Sequence, residues 1–287
     1  MTSTPASIHL GDFNGIPAWR IDTSAVRAAV SVQGGQLLAW QPAGFDEVLW
    51  CSPTTRRPPQ AIRGGVPVCW PYFGRDGQPA DAPQHGHARI SAWQFVDAVE
   101  EDDAVVLDLA LPPDPRTPLR LRQRLRIGAV LEQTLITTHD GDADIAFTQA
   151  LHSYFAVGDV RQVSVSGVDG LRYADKFDGN EHAQAGDWRL DEPRDPGRSD
   201  RIYADAGARF TLTDPVGRRR IALETRGSRS LVIWNPGEAG TAAIADLPAQ
   251  GWREFLCVET ANAGADVVRL APGAEHRLGQ RLSVSPL

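Results

Sequence analysis

The stretch LRLRQRLRI, residues 119–127, alternates apolar and basic side chains with a period of two. Wound as a helix, this pattern would scatter its leucines around the whole circumference. Drawn out as a strand, it gathers Leu119, Leu121, Leu125 and Ile127 on one face and the arginines on the other. A half-buried antiparallel strand is the element this pattern specifies. The same alternation recurs in VVLDLAL (105–111), RQVSVSGV (161–168), ARFTLTD (208–214), RRIALET (219–225), RSLVIWN (229–235), REFLCVET (253–260) and DVVRLAP (266–272). Turn clusters such as LPPDPRTP and THDGDAD separate them, and no helical stripe runs longer than a few turns. Many short strands joined by turns predict an all-β chain built as a large antiparallel sandwich.

The strands run from about residue 16 to the end with no linker-like gap. The Pro-, Gly- and Asp-rich loop at 185 to 200 is the best candidate for a boundary, but it is too short and too closely flanked by strands to divide the chain. One domain spanning 1–287 is expected, and it is long enough to bury a substantial core.

The net charge of -7 argues against nucleic acid as a partner, because phosphate-backbone binding wants a basic face. A local basic pocket for a small anion is still compatible with it. No window approaches the roughly 20 apolar residues of a membrane-spanning helix, and the N-terminal residues lack the basic and apolar regions of a secretory signal. Cys51, Cys69 and Cys257 are odd in number and widely spaced, which suits buried thiols in a reducing compartment. A cytoplasmic protein with no membrane partner is the expectation, and a single sandwich with an acidic surface suits a monomer.

Four segments carry candidate chemistry. AIRGGVPVCWPYFG (61–74) is an ordered Gly-, Pro- and aromatic-rich loop in which Arg63 either points into a cavity or pairs with a carboxylate; the residues alone leave both open. In APQHGHARISAW (82–93), His85 and His87 stand at i, i+2, one side of an extended segment, with Arg89 two residues on. A metal site there is disfavoured, since no carboxylate follows and no His or Cys cluster supplies a third ligand. His152 interrupts the apolar segment FTQALHSYFAVGD, and Glu259 closes the apolar run of EFLCVETANA. A carboxylate on a buried strand is costly unless partnered, and its pKa rises if desolvated. Taken together, an imidazole and a carboxylate make a general acid and a general base.

The set GGQLLAWQPAG…EVLW, IRGGVPVCWPYFG, HGHAR…W, LHSYFAVGD, LVIWNP and FLCVETAN, in this order from about residue 15 to the C-terminus, resembles the hexose-6-phosphate mutarotases, or glucose-6-phosphate 1-epimerases, relatives of galactose mutarotase. The resemblance implies a large twisted β-sandwich of the galactose mutarotase-like supersandwich type, an open carbohydrate cleft, and no metal or organic cofactor. It puts the acid histidine on His152, the base glutamate on Glu259, the orienting histidine on His85, two sugar-phosphate arginines on Arg63 and Arg89, and a substrate-contacting aspartate on Asp175 in RYADKFDG. The family more often has Phe at the position of His87 and Gln at that of Tyr72.

The implied reaction exchanges α and β anomers. The ring oxygen takes a proton as its bond to C1 breaks, and the C1 hydroxyl gives one up. Guanidinium forks on Arg63 and Arg89 match a phosphate ester in charge and geometry. Two other readings share the fold. A mutarotase for unphosphorylated aldoses would have both arginines engaged with protein carboxylates, and a sugar-binding module would have no use for an acid–base pair.

Overall fold

The structure, a computed structural model, describes residues 5–75, 77–190 and 197–287. The middle of the 185–200 loop, residues 191–196, lies outside the described residues. Two eight-stranded sheets dominate. The first runs in the order Glu181–Ala183, Arg172–Asp175, Ser199–Tyr203, Ser230–Asn235, Phe255–Asn262, Gln149–Leu151 and Val68–Cys69, with Tyr154–Ala156 also paired to Phe255–Asn262. The second runs Ser164–Ser166, Arg209–Asp214, Arg219–Arg226, Glu275–Pro286, Leu131–His139, Leu119–Ile127, Ala104–Ala110 and Gln94–Glu101. A four-stranded sheet, Ile8–Phe13 to Leu37–Pro42, and a two-stranded ribbon of Ile145–Phe147 with Val268–Leu270 complete the fold. Neighbouring strands in these sheets pair antiparallel.

The period-two segments become strands with the expected faces. Leu119–Ile127 has Leu119, Leu121, Gln123, Leu125 and Ile127 buried and its arginines turned out. One apolar cluster takes Leu107, Leu121, Leu125 and Leu135 from one large sheet and Leu151, Phe155, Leu231 and Val258 from the other, so the sheets pack face to face across a shared core. The segment at 161–168 is shorter than its pattern suggested. Asp159 accepts a hydrogen bond from the Arg161 N–H and turns Val160–Gln162 into a 3₁₀ turn, so the strand spans only Ser164–Ser166.

Phe255–Asn262 is buried at all eight positions. Leu256 and Val258 face the sandwich interior with the main core, whereas Phe255 and Cys257 pack with Trp50, Tyr154 and Leu247 on the opposite side. Loops cover that second face, and the cavity opens there. No helix among the described residues is long and apolar enough to cross a membrane.

Candidate active site

The site forms where strand pairing is locally interrupted. Leu151 pairs with Thr260 and Tyr154 with Cys257, so the two residues between, His152 and Ser153, fall opposite Glu259 and Val258. The His152 N–H leaves the ladder and donates to the Pro67 carbonyl at 3.0 Å. Both side chains point to the same side, and His152 Nε2 lies 3.4 Å from Glu259 Oε1. His152 is 8% exposed and Glu259 1%. The imidazole stacks on Tyr154, with ring centroids 4.9 Å apart and planes at 11°, and meets Trp234 edge-on.

A cavity of about 460 Å³ opens over this pair, lined also by Arg63, His85, Arg89, Asp200 and Trp234. It adjoins a second hollow of about 250 Å³ that shares Arg63, Arg89, Tyr154 and Ile244 and adds Arg56 and Asp246. Together they offer a bowl for one ring-sized molecule with a cationic annex.

The arginines differ in how firmly they are held. Arg63 Nε donates to Asp246 Oδ1 at 2.9 Å and Nη1 to the Tyr154 hydroxyl at 3.2 Å. Burial works against its charge, but Tyr154 and Asp246 outweigh that and hold the guanidinium firmly protonated. Arg89 Nη2 donates to the Gln84 carbonyl at 2.8 Å. Its Nε is buried with no hydrogen-bond partner among the described residues. Arg63 is thus partly committed to a carboxylate, and Arg89 bonds to a carbonyl instead. Backbone geometry presents Arg63: Gly64 has φ +106°, and a Cβ there would sit 2.3 Å from the Trp50 carbonyl oxygen.

The HGH segment is a turn, not the extended run its spacing suggested. His85 has φ 64° and Gly86 φ 71°, and a 3₁₀ turn follows at Ala88–Ile90. The two rings therefore diverge. His85 lines the cavity, edge-on to Phe73 and to His152. The Gly74 N–H donates to its Nδ1 at 3.1 Å, which leaves Nε2 as the ring's donor. His87 turns away onto the edge of Trp70, with Nε2 3.5 Å from Asp114 Oδ2.

Asp175 is also placed differently from expectation. It is buried, accepts from the Phe177 N–H at 2.8 Å, and does not line the cavity. It stands opposite Arg201, and Tyr173 opposite Tyr203, on the buried face of the two paired strands. The alternate residue of the partner strand, Asp200, reaches the cavity instead. Asp200, Tyr154 and Trp234 were not singled out from the sequence. Tyr154 was accessible to that reasoning, since it stands two residues after His152 and shares its face.

Burial sets the electrostatics. It pushes His152 down to about 3, with Arg89 and Arg63 adding to the shift. His85 is also held well below the ordinary imidazole range, first by burial and then by Arg89. Glu259 is raised well above the usual carboxylate range by burial and by Asp200. Both shifts favour the uncharged forms, a neutral imidazole and a protonated carboxyl. Among the described residues, the groups that could present three ligand atoms to a metal are His152, Cys257 and Glu259, whose donor atoms lie within 4.8 Å of one another. Burial keeps the Cys257 thiol protonated, which works against such a role.

Comparison with known proteins bears on the family and the fold. A relative from Escherichia coli (strain K12) named "Putative glucose-6-phosphate 1-epimerase" is 37% identical over 251 residues, covering 85% of this chain and 82% of its own. A solved structure of a "putative mutarotase" from Salmonella typhimurium superposes with a TM-score of 0.89 at 32% identity, covering 100% of this chain and 96% of that one. Galactose 1-epimerase from Lactobacillus acidophilus shares the fold at a TM-score of 0.75 and 14% identity, covering 99% of both chains. The family model described as aldose 1-epimerase matches residues 17–283. With its sandwich and nearly its whole length accounted for in this way, the chain belongs to the aldose 1-epimerase family.

Proposed function

We propose that this protein interconverts the α and β anomers of a hexose 6-phosphate, glucose 6-phosphate foremost, with His152 and Glu259 as the acid–base pair. The observation that carries the reading is the placement of that pair, 3.4 Å apart, beneath a cavity walled by Arg63 and Arg89. The ester phosphate takes the annex between the two guanidiniums, whose residues line both hollows. The pyranose ring then lies over the pair, beside Trp234, with His85 Nε2–H directed at a ring substituent.

The phosphate has a second effect. Arg89 and Arg63 are the charges that help hold the imidazole neutral. A dianion seated on them cancels much of that field and favours a proton on His152, and the reaction runs from the form of the pair that is imidazolium and carboxylate. His152 then protonates the ring oxygen as the C1–O5 bond breaks, and Glu259 takes the C1 hydroxyl proton. Rotation about C1–C2 exposes the other face of the aldehyde, and closure reverses both transfers. One proton enters the ring and one leaves, so no net charge accumulates in a site that solvates charge poorly.

The Arg63–Asp246 pair gives an unphosphorylated aldose some claim as the substrate. Anomer exchange followed by NMR on glucose 6-phosphate and on glucose, for wild type and Glu259→Gln, separates the readings. Fast exchange of the ester alone, lost in the variant, supports the proposal. Equal exchange of both sugars assigns the broader aldose activity. Exchange of the ester at the spontaneous rate overturns catalysis altogether.

A further inference from the structure

A line of polar side chains crosses the otherwise apolar interior and ends on the two residues that follow His152 and Glu259. Ser153 Oγ donates to Gln280 Oε1 at 3.0 Å, and Thr260 Oγ1 reaches the same oxygen at 3.4 Å. Gln280 Nε2 donates to Gln133 Oε1 at 2.9 Å, and Gln133 Nε2 to Gln123 Oε1 at 2.7 Å. Gln123 Nε2 ends the line on the Gly35 carbonyl at 2.6 Å. Every side chain in it is buried. The amides all point the same way, each accepting from one neighbour and donating to the next.

Such a line is an expensive way to fill a core. Each amide must be desolvated, and leucine or methionine would fill the space without that cost. Its position suggests what it does. Side chains alternate along a strand, so His152 and Glu259 face the cavity while Ser153 and Thr260 face the interior from the same two strands. Here the backbone ladder is thinned. The His152 N–H bonds to Pro67 and the Ser153 N–H to Leu151, so the bond from the Val258 N–H to the Ser153 carbonyl, at 3.2 Å, is what ties these two residues to Phe255–Asn262. One oxygen of Gln280, on the opposite sheet, accepts from both strands at this gap.

We propose that Gln280, held by Gln133 and Gln123, is a positioning residue that sets the separation of His152 and Glu259 by pinning Ser153 and Thr260 from behind. This rests on the acid–base reading above. Misplacing reacting groups by about 1 Å can cost about 100-fold in rate, while the cavity wall that binds the sugar is left as it was. The expected signature is therefore a loss in kcat without a matching change in KM.

The test measures kcat and KM for anomer exchange of glucose 6-phosphate by Ser153→Ala, with Gln280→Leu as a companion and Glu259→Gln as the control. Ser153→Ala removes one hydroxyl from a buried site and leaves the glutamine line bonded to itself, so it folds even if Gln280→Leu does not. The expected result is a fall in kcat of about 10- to 100-fold with KM within about twofold of wild type, and a shifted His152 ring resonance in the folded protein. A kcat for folded Ser153→Ala within about twofold of wild type, or a loss that only tracks the folded fraction, overturns the proposal. Should Glu259→Gln keep full activity in the same assay, the acid–base reading itself has failed. Loss in Glu259→Gln without loss in Ser153→Ala sinks the positioning role alone.

Discussion

His152 lies directly across the strand pair from Glu259, and the two side chains meet at 3.4 Å on the cavity face. Each is shifted first by its own burial, the imidazole downward and the carboxyl upward. Their combined charge stays near zero because a net charge would be poorly solvated in that place.

Glu259→Gln keeps the shape of the side chain and removes its proton chemistry. Exchange of glucose 6-phosphate should fall by roughly 100- to 10,000-fold, the span that general acid–base groups supply. Glu259 Oε2 is buried without a hydrogen-bond partner among the described residues, and burial favours the uncharged form of the carboxyl. Thermal melting should therefore show no loss of stability, and a large drop in Tm would contradict this account of the site.

His152 should not titrate through the ordinary imidazole range. In the folded chain it is held down to about 3, whereas an unfolded histidine protonates near pH 6.5. As pH falls below about 6.5 the unfolded state takes up the proton first, so the stability that rests on neutral His152 is lost progressively between about 6.5 and about 3. Glu259 acts in the opposite sense, favouring the fold most where its carboxyl is protonated and losing that advantage as pH rises. Ring-proton NMR should show His152 constant from pH 8 to 5 in the ligand-free protein. Adding glucose 6-phosphate should raise its pKa; a titration unchanged by the ligand would remove the proton shift from the mechanism.

Arg89→Leu should discriminate between phosphorylated and free sugars. Losing a charge-assisted hydrogen bond of about 1.5 to 3 kcal/mol should raise KM for the ester by about 10- to 100-fold. KM for free glucose, which makes no such bond, should be unaffected. The same variant removes the larger of the two charges that hold His152 down, so the His152 pKa should rise in the ligand-free protein. Arg63→Leu is the poorer probe, because it also strands Asp246.

Gly64→Ala should destabilise the fold by about 2 kcal/mol or more, since it forces a side chain into left-handed backbone. The added carbon would also meet the Trp50 carbonyl oxygen at 2.3 Å. A denaturant midpoint within error of wild type would show that the loop can give way here.

The sheets were legible because period two survives wherever one face is wet. Leu119–Ile127 was readable to the residue for that reason. Phe255–Asn262 was also legible as a strand, but both its faces are covered and polarity does not mark which of them meets the cavity. His152, Glu259, His85, Arg63 and Arg89 do converge on one cavity. Their convergence came from the family resemblance, since they lie far apart in sequence and nothing local says that they meet. Asp175 and Asp200 could not be told apart from the chain alone. Which of them reaches the cavity depends on a register between Arg172–Asp175 and Ser199–Tyr203 that no single segment specifies. Gln123 stood on the inward face of the most readable strand, but its partners come from one other strand and a turn.

The strand Phe255–Asn262 belongs at once to the interior and to the site, with no position left at the surface. A substitution there to reshape the bowl is also a substitution in the packing of two sheets. The rest of the bowl, with Arg63, His85 and Arg89, stands on loops, and there a side chain can be exchanged without touching that strand. The proposed acid–base pair is thus built into the packing of the two sheets, and the cationic wall of the bowl into the loops laid over them.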